Sequence, residues 1–207
     1  MKHDLLVRNA YTMLGLLAIT ASGFPKTPLS PVRITVRVMD YINLPDGDRE
    51  ELERTAHRIL AQAGVSIEFV ECFNRGVEVA AEACHATLGP TDIILRILQP
   101  KMAIKTEQLG YAAMTREGGA YITVFLDPAQ QKARVRNLTN GVYMGHAAAH
   151  EIGHLLLGAN SHSSSGIMRP VWCQADEEWM VKGALLFESG QPRTMRSVLE
   201  GRSGLER

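Results

Sequence analysis

The chain has 207 residues, 45% of them apolar, with 22 basic and 22 acidic side chains and a formal net charge of zero. That length and apolar content suit one globular domain with a real core. The charge balance speaks against a nucleic-acid or anionic-membrane partner, and no low-complexity run or internal repeat divides the chain.

Residues 1–23 read as a secretory signal peptide. Lys2 and Arg8 precede an apolar run over residues 11–19, and the small Ala21, Ser22 and Gly23 follow. Asp4 interrupts the basic part, and no clean Ala-x-Ala is present. The run is too short to span a bilayer, so no membrane span is expected. The expectation is an exported protein, periplasmic or secreted, with residues 24–207 forming a single domain.

Pro25, Pro28 and Pro31 make an extended lead-in. Residues 32–39 alternate, with Val32, Ile34, Val36 and Val38 against Arg33, Thr35 and Arg37, as in a half-buried strand. A turn at Pro45-Asp46-Gly47-Asp48 starts a helix over 49–63, with Leu52, Ala56, Ile59, Leu60 and Ala63 at helical spacing and Gly64 at its end. His57 on this helix reads as a surface or boundary residue. Residues 65–70 predict a second strand and 72–90 a loop or short helix. Residues 92–98 form a nearly continuous apolar run, which predicts a central strand covered on both faces. Short strands over 109–115 and 120–126 flank Glu117-Gly118-Gly119, which suggests antiparallel neighbours at an edge, with Asp127-Pro128 stopping the second. Five strands and one early helix imply a mixed α/β (α+β) sheet.

Cys72 and Cys84 flank a short polar segment. In an exported protein a bridge closing that small loop is expected, two buried free thiols being the alternative. Cys173, beside Trp172, reads as a small buried apolar residue. Without a Cys-x-x-Cys spacing, thiolate ligation of zinc is not expected.

Residues 141–157 predict a helix that is apolar on most of its circumference and therefore buried, capped at Thr139 or Asn140 and ended by Gly158. Its polar groups include His150-Glu151-Ile152-Gly153-His154. Residues four apart on a helix share a face, so His150 and His154 can direct two imidazoles at one Zn²⁺. Glu151 stands beside the first ligand, placed to take a proton from water. A chance occurrence of this pattern is the alternative, and the third His and the Gly-Ile-Met that follow in order speak against it. His146 shares the face, but three histidines at steps of four span about 12 Å along the axis. Ligand bonds are near ~2 Å, so His146 reads as a core residue or a support behind the ligands. His162 is the next imidazole downstream, and Gly166-Ile167-Met168-Arg169-Pro170 follows it. Residues 174–187 and 192–199 predict two C-terminal helices, whose polar faces, with Glu177 and Glu178, would usually be solvated.

The stretch from His150 to Met168 resembles the metzincin clan of zinc endopeptidases, which carry His-Glu-x-x-His-x-x-Gly-x-x-His followed by a tight Met-turn beneath the metal. The order of elements over residues 32–187 is similar as well. The chain also looks like exported bacterial proteins that share the His-Glu-Ile-Gly-His-Leu-Leu-Leu-Gly stretch, a likeness that adds no activity. The clan's spacing would put Gly at 157 and the third ligand at 160. Here those positions are Leu157 and Asn160, the glycine is Gly158, and His162 comes two residues late. The resemblance implies a twisted mixed sheet with a backing helix, a buried active-site helix and C-terminal helices. It implies Zn²⁺ on His150, His154 and His162, Glu151 as general base, and a peptide or protein substrate lying along the strand at 109–115. Two other readings stay open. In a gluzincin-like enzyme Glu177 or Glu178 would complete the ligand set. In a non-catalytic exported module the zinc would be structural, although such sites usually close with four protein ligands.

Overall fold

The computed structural model describes residues 32–79, 81–99, 108–114 and 120–204. The signal-peptide and Gly-Gly-turn expectations lie outside the described residues.

Six strands form one mixed sheet: β1 (Val32–Asp40), β2 (Val65–Asn74), β3 (Val77–Glu78), β4 (Asp92–Leu98), β5 (Gly110–Met114) and β6 (Ala120–Phe125). Their spatial order is β3-β2-β1-β4-β6-β5. The four central strands run parallel, and both edge strands run antiparallel to their neighbours. The sixth strand beyond the expected five is the two-residue β3, where β2 runs on to Asn74 and turns back through Gly76. So short a strand leaves no alternation to read.

The alternation of β1 sets the layers. Ile34, Val36 and Val38 are fully buried with Ile93, Leu95 and Ile97 of β4 and Ile122 and Val124 of β6. Against this face pack α1 (Asp46–Gln62), α4 (Asn140–Leu157) and α6 (Gln191–Ser203). β4 was expected to be covered on both faces. Its second face, with Ile94, Arg96 and Leu98, is only half-buried among the described residues, because α1, α4 and α6 pack on the other face and the loop near residue 87 covers one end. That loop is held by Arg37, whose guanidinium donates to the carbonyls of Ala86 (2.6 Å) and Thr87 (3.2 Å) and pairs with Asp92 (2.7 Å). A disulfide joins Cys72 to Cys84 on the short helix α2 (Glu82–His85). It ties the same segment to β2, as expected.

Between β6 and α4 runs a helix absent from the sequence reading, α3 (Leu126–Arg136). Asp127-Pro128 looked like a stop. Proline is tolerated in the first turn of a helix, where its missing N–H would have no partner, and Pro128 is the third residue of α3. The first C-terminal helix, α5 (Gln174–Val181), ends earlier than expected because Gly183 takes φ 68°. The chain then runs without helix beneath the Ile167 turn, where the Ile167 N–H donates to the Leu186 carbonyl. Among the described residues no helix is long and apolar enough to cross a membrane.

Candidate metal centre

Helix α4 is the element on which the site is built. Thr139 caps it, accepting from the Val142 N–H (3.2 Å), and Gly158 ends it at φ 103°. Fourteen of its residues are buried, so its few polar side chains sit in fixed surroundings. His150 and His154 stand one turn apart with their Nε2 atoms 3.0 Å from each other. The chain reverses after Gly158 through a turn closed by the Ser161 N–H on the Gly158 carbonyl, and Ser163 N–H then reaches the Met168 carbonyl. This turn brings the Nε2 of His162 to 3.2 Å from that of His154. The ligating atoms of the three histidines lie within 4.8 Å of one another.

The outer nitrogens of His150 and His154 set the orientation of their rings. His150 Nδ1 lies 2.7 Å from the Ile167 carbonyl, which only accepts, so Nδ1 carries the proton and Nε2 keeps its lone pair. His154 Nδ1 lies 3.1 Å from Ser161 Oγ and 3.4 Å from the Gly158 carbonyl. Burial first, and then the neighbouring imidazoles, lower His150 to about 4; burial also lowers His154. Both rings are therefore neutral at physiological pH, the form that binds metal. Lone pairs at such separations repel unless a cation stands between them. Tetrahedral Zn–N bonds of ~2.0–2.1 Å put nitrogens roughly 3.3 Å apart, so the donor set fits Zn²⁺.

Glu151, next to His150 and about 100° round the helix from it, points toward β5 and lines the same cleft as the triad. A Cβ on Gly110 would stand 3.1 Å from Glu151 Cγ and 3.3 Å from Oε1, so only glycine leaves the carboxylate this close to the strand. No hydrogen bond or ion pair to the Glu151 carboxylate is found among the described residues, and burial alone pushes its pKa up to about 7. A cation held by the triad would draw it back down.

Below the helix, a Cβ on Gly153 would meet Met168 and come within 3.0 Å of Phe187. The fully buried Met168 thus packs directly against the helix at the level of the ligands. Trp172 donates from Nε1 to the same Ile167 carbonyl (3.0 Å) and sets its ring 5.8 Å from that of His150. Trp172, Ser161 and the Ile167 carbonyl hold the rings of His150 and His154 in place, and the sequence expectation named none of them for that part. A Ser within hydrogen-bonding reach of a ligand is a weak sequence signal, and a backbone carbonyl gives none.

The remaining expected residues fall elsewhere. His146 is fully buried, bonded through Nδ1 to the Val142 carbonyl and set edge-on to Trp172, and it stays outside the triad. Asn160 is exposed on the turn, and Glu178 is exposed on α5. Glu177 is buried rather than solvated, because its carboxylate accepts from Tyr143 Oη and from Arg136 Nε. Cys173 was expected to be buried and is exposed, since it stands at the start of α5 with its sulfur against the Arg169 guanidinium (3.1 Å). His57 is exposed, as expected.

A cleft of about 440 Å³ opens onto the triad and Glu151. Leu109, Gly110, Tyr111 and Ala112 of the edge-strand region line it, as do Ala147 of α4 and Pro170, Val171 and Trp172 after the Met168 turn. In comparisons with known proteins, no family model and no curated protein matches the chain.

Proposed function

We propose that this protein is a zinc-dependent endopeptidase with a metzincin-like centre. The observation that carries the reading is the convergence of three imidazole nitrogens, from His150, His154 and His162, beside a buried Glu151 that has no hydrogen-bond or ion-pair partner among the described residues. His150, His154 and His162 would hold Zn²⁺. When bound, the ion supplies Lewis acidity toward a carbonyl oxygen and toward water. Three protein ligands leave a position open, which a structural site would close with a fourth. Glu151 takes a proton from the attacking water and returns it to the leaving amine. Its lack of a protein partner leaves both carboxylate oxygens free for that exchange. Among the described residues β5 pairs only with β6, so its outer edge along the cleft offers backbone groups on which an extended peptide can pair as a further strand. Met168 packed under Gly153 supports the likeness to the Met-turn. Export is part of the same reading, and the Cys72–Cys84 bridge supports it, because disulfides persist in oxidising compartments.

The decisive experiment compares wild type with Glu151→Gln. Both should hold a single Zn²⁺ per chain by elemental analysis. The variant should lose roughly 10²–10⁴-fold in cleavage of an unfolded protein substrate, because it loses a proton acceptor and no ligand. Equal cleavage rates would refute the mechanism.

A further inference from the structure

The cleft has a charge of its own beyond the reacting groups. Besides the site histidines, its charged lining side chains are Glu151, Arg169 and Lys132. Arg169 is already engaged, donating to the Ser164 carbonyl (2.9 Å), to Cys173 Sγ (3.1 Å) and to Asp176 Oδ2 (3.2 Å). Lys132 of α3 is half-buried and makes no ion pair with any described residue. On its other side Lys132 lines a hollow of about 350 Å³ together with the buried Glu177. Its carboxylate is taken up by Arg136 and Tyr143. Lys132 is thus a cation on the cleft wall without an ion-pair partner among the described residues.

Its position along the cleft follows from the helices. α3 leads into α4 through a short connection, so Lys132 stands beside the N-terminal half of α4. The α4 residue that lines the cleft there is Ala147, about one turn before His150 and Glu151. Its small side chain leaves space, and Val171 and Trp172 supply apolar walls. An apolar-walled space ending in one unpaired cation suits an occupant with a short apolar stem and a carboxylate.

We infer that Lys132 is a specificity-determining residue that binds a carboxylate of the peptide, next to the bond presented to the triad. The inference rests on the peptidase reading for the occupant being a peptide. A carboxylate can come from an Asp or Glu side chain or from the free C-terminus, and the same cation serves either.

The test measures binding, so it does not depend on turnover. Zinc-loaded Glu151→Gln protein is titrated with fluorescent, N-acetylated alanine-rich peptides. One set is C-amidated and carries Glu or Gln at each position in turn, and a second set is neutral with a free or amidated C-terminus. With Lys132 in place, a carboxylate in one set should tighten binding about tenfold over its amide partner, and added salt should shrink the gain. Lys132→Gln should abolish the gain, and Lys132→Glu should reverse it in favour of a Lys-bearing peptide. Gain in the first set identifies an acidic side chain as the source, and gain in the second identifies the chain terminus. Equal binding of carboxylate and amide partners, no measurable binding of any peptide, or a preference untouched by Lys132→Glu overturns the inference. If the preference is found and wild-type enzyme cleaves none of these peptides, the Lys132 assignment stands and the peptidase reading fails.

Discussion

The third imidazole of the triad is placed by the short turn that follows α4. After Gly158 the chain closes on itself at Ser161 and is pinned again at Ser163, which leaves Asn160 on the exposed turn and brings the solvent-exposed His162 alongside His154. The two extra residues relative to the metzincin spacing enlarge the loop without displacing the imidazole from the triad. His162→Ala should therefore weaken Zn²⁺ binding by at least the ~10–100-fold that loss of a mere supporting contact causes. Asn160→Ala and Glu178→Ala should leave it unchanged. Glu177→Ala should also leave it unchanged while lowering stability by roughly 1–3 kcal/mol, because buried Tyr143 and Arg136 each lose an acceptor. Competition titration with a zinc chelator, paired with urea unfolding, separates the two effects. Zinc loss in Glu177→Ala with normal binding in His162→Ala would favour the gluzincin-like ligand set instead.

At the scale of elements, the sheet keeps its site at one edge and its covalent staple at the other. β5, beside Glu151, and β3, beside the Cys72–Cys84 bridge, are opposite edge strands. The bridge spans a sequence separation of 12 residues, for which the chain-entropy model gives about 3 kcal/mol. The double variant Cys72→Ser/Cys84→Ser should lose a stability of that order in urea unfolding and keep its zinc affinity. A matching loss of zinc affinity would mean that the two edges are coupled. The elements differ in how openly the chain declares them. β1 and α1 carry clean periods of two and 3.6, and their cores are those the pattern predicts. α3 was hidden because Asp127-Pro128 is as good a helix start as a strand stop, and the choice depends on Ala129 and Ala133 finding α4 to pack against. The apolar run of β4 promised two covered faces. Only one is fully covered, because α1, α4 and α6 all pack on that face.

For the whole molecule, the buried histidine outside the triad predicts an acid limb. His146 is fully buried beside Trp172, and desolvation, only partly offset by its bond to Val142, lowers its pKa from 6.5 to about 4. Above pH 6.5 the ring is neutral folded or unfolded and costs nothing. As pH falls from 6.5 to about 4 the unfolded chain takes up a proton that the folded state refuses, so stability declines over that window and the decline stops below it. The loss attributable to His146 is up to roughly 3 kcal/mol. His146→Phe should flatten the difference between unfolding free energies at pH 7 and pH 4.5 by about that amount. An unchanged slope would show that His146 protonates without cost in the fold.

What the sequence determined by itself is what the chain settles over one or two helical turns. Positions 150 and 154 must share a helix face, Glu151 must stand next to them, and residues 72 and 84 are near enough along the chain to be bridged. These follow from the pitch of a helix and the length of a loop, whatever the helix packs on. Tertiary structure decided everything that required a second surface. It brought His162 into the triad, set the Ile167 carbonyl and Trp172 behind His150, and buried Glu177 against Tyr143. It also left Cys173 exposed and put Lys132 on the wall of the cleft. Each of those outcomes depends on which distant side chains meet, and no local period encodes the partner that satisfies a buried polar group.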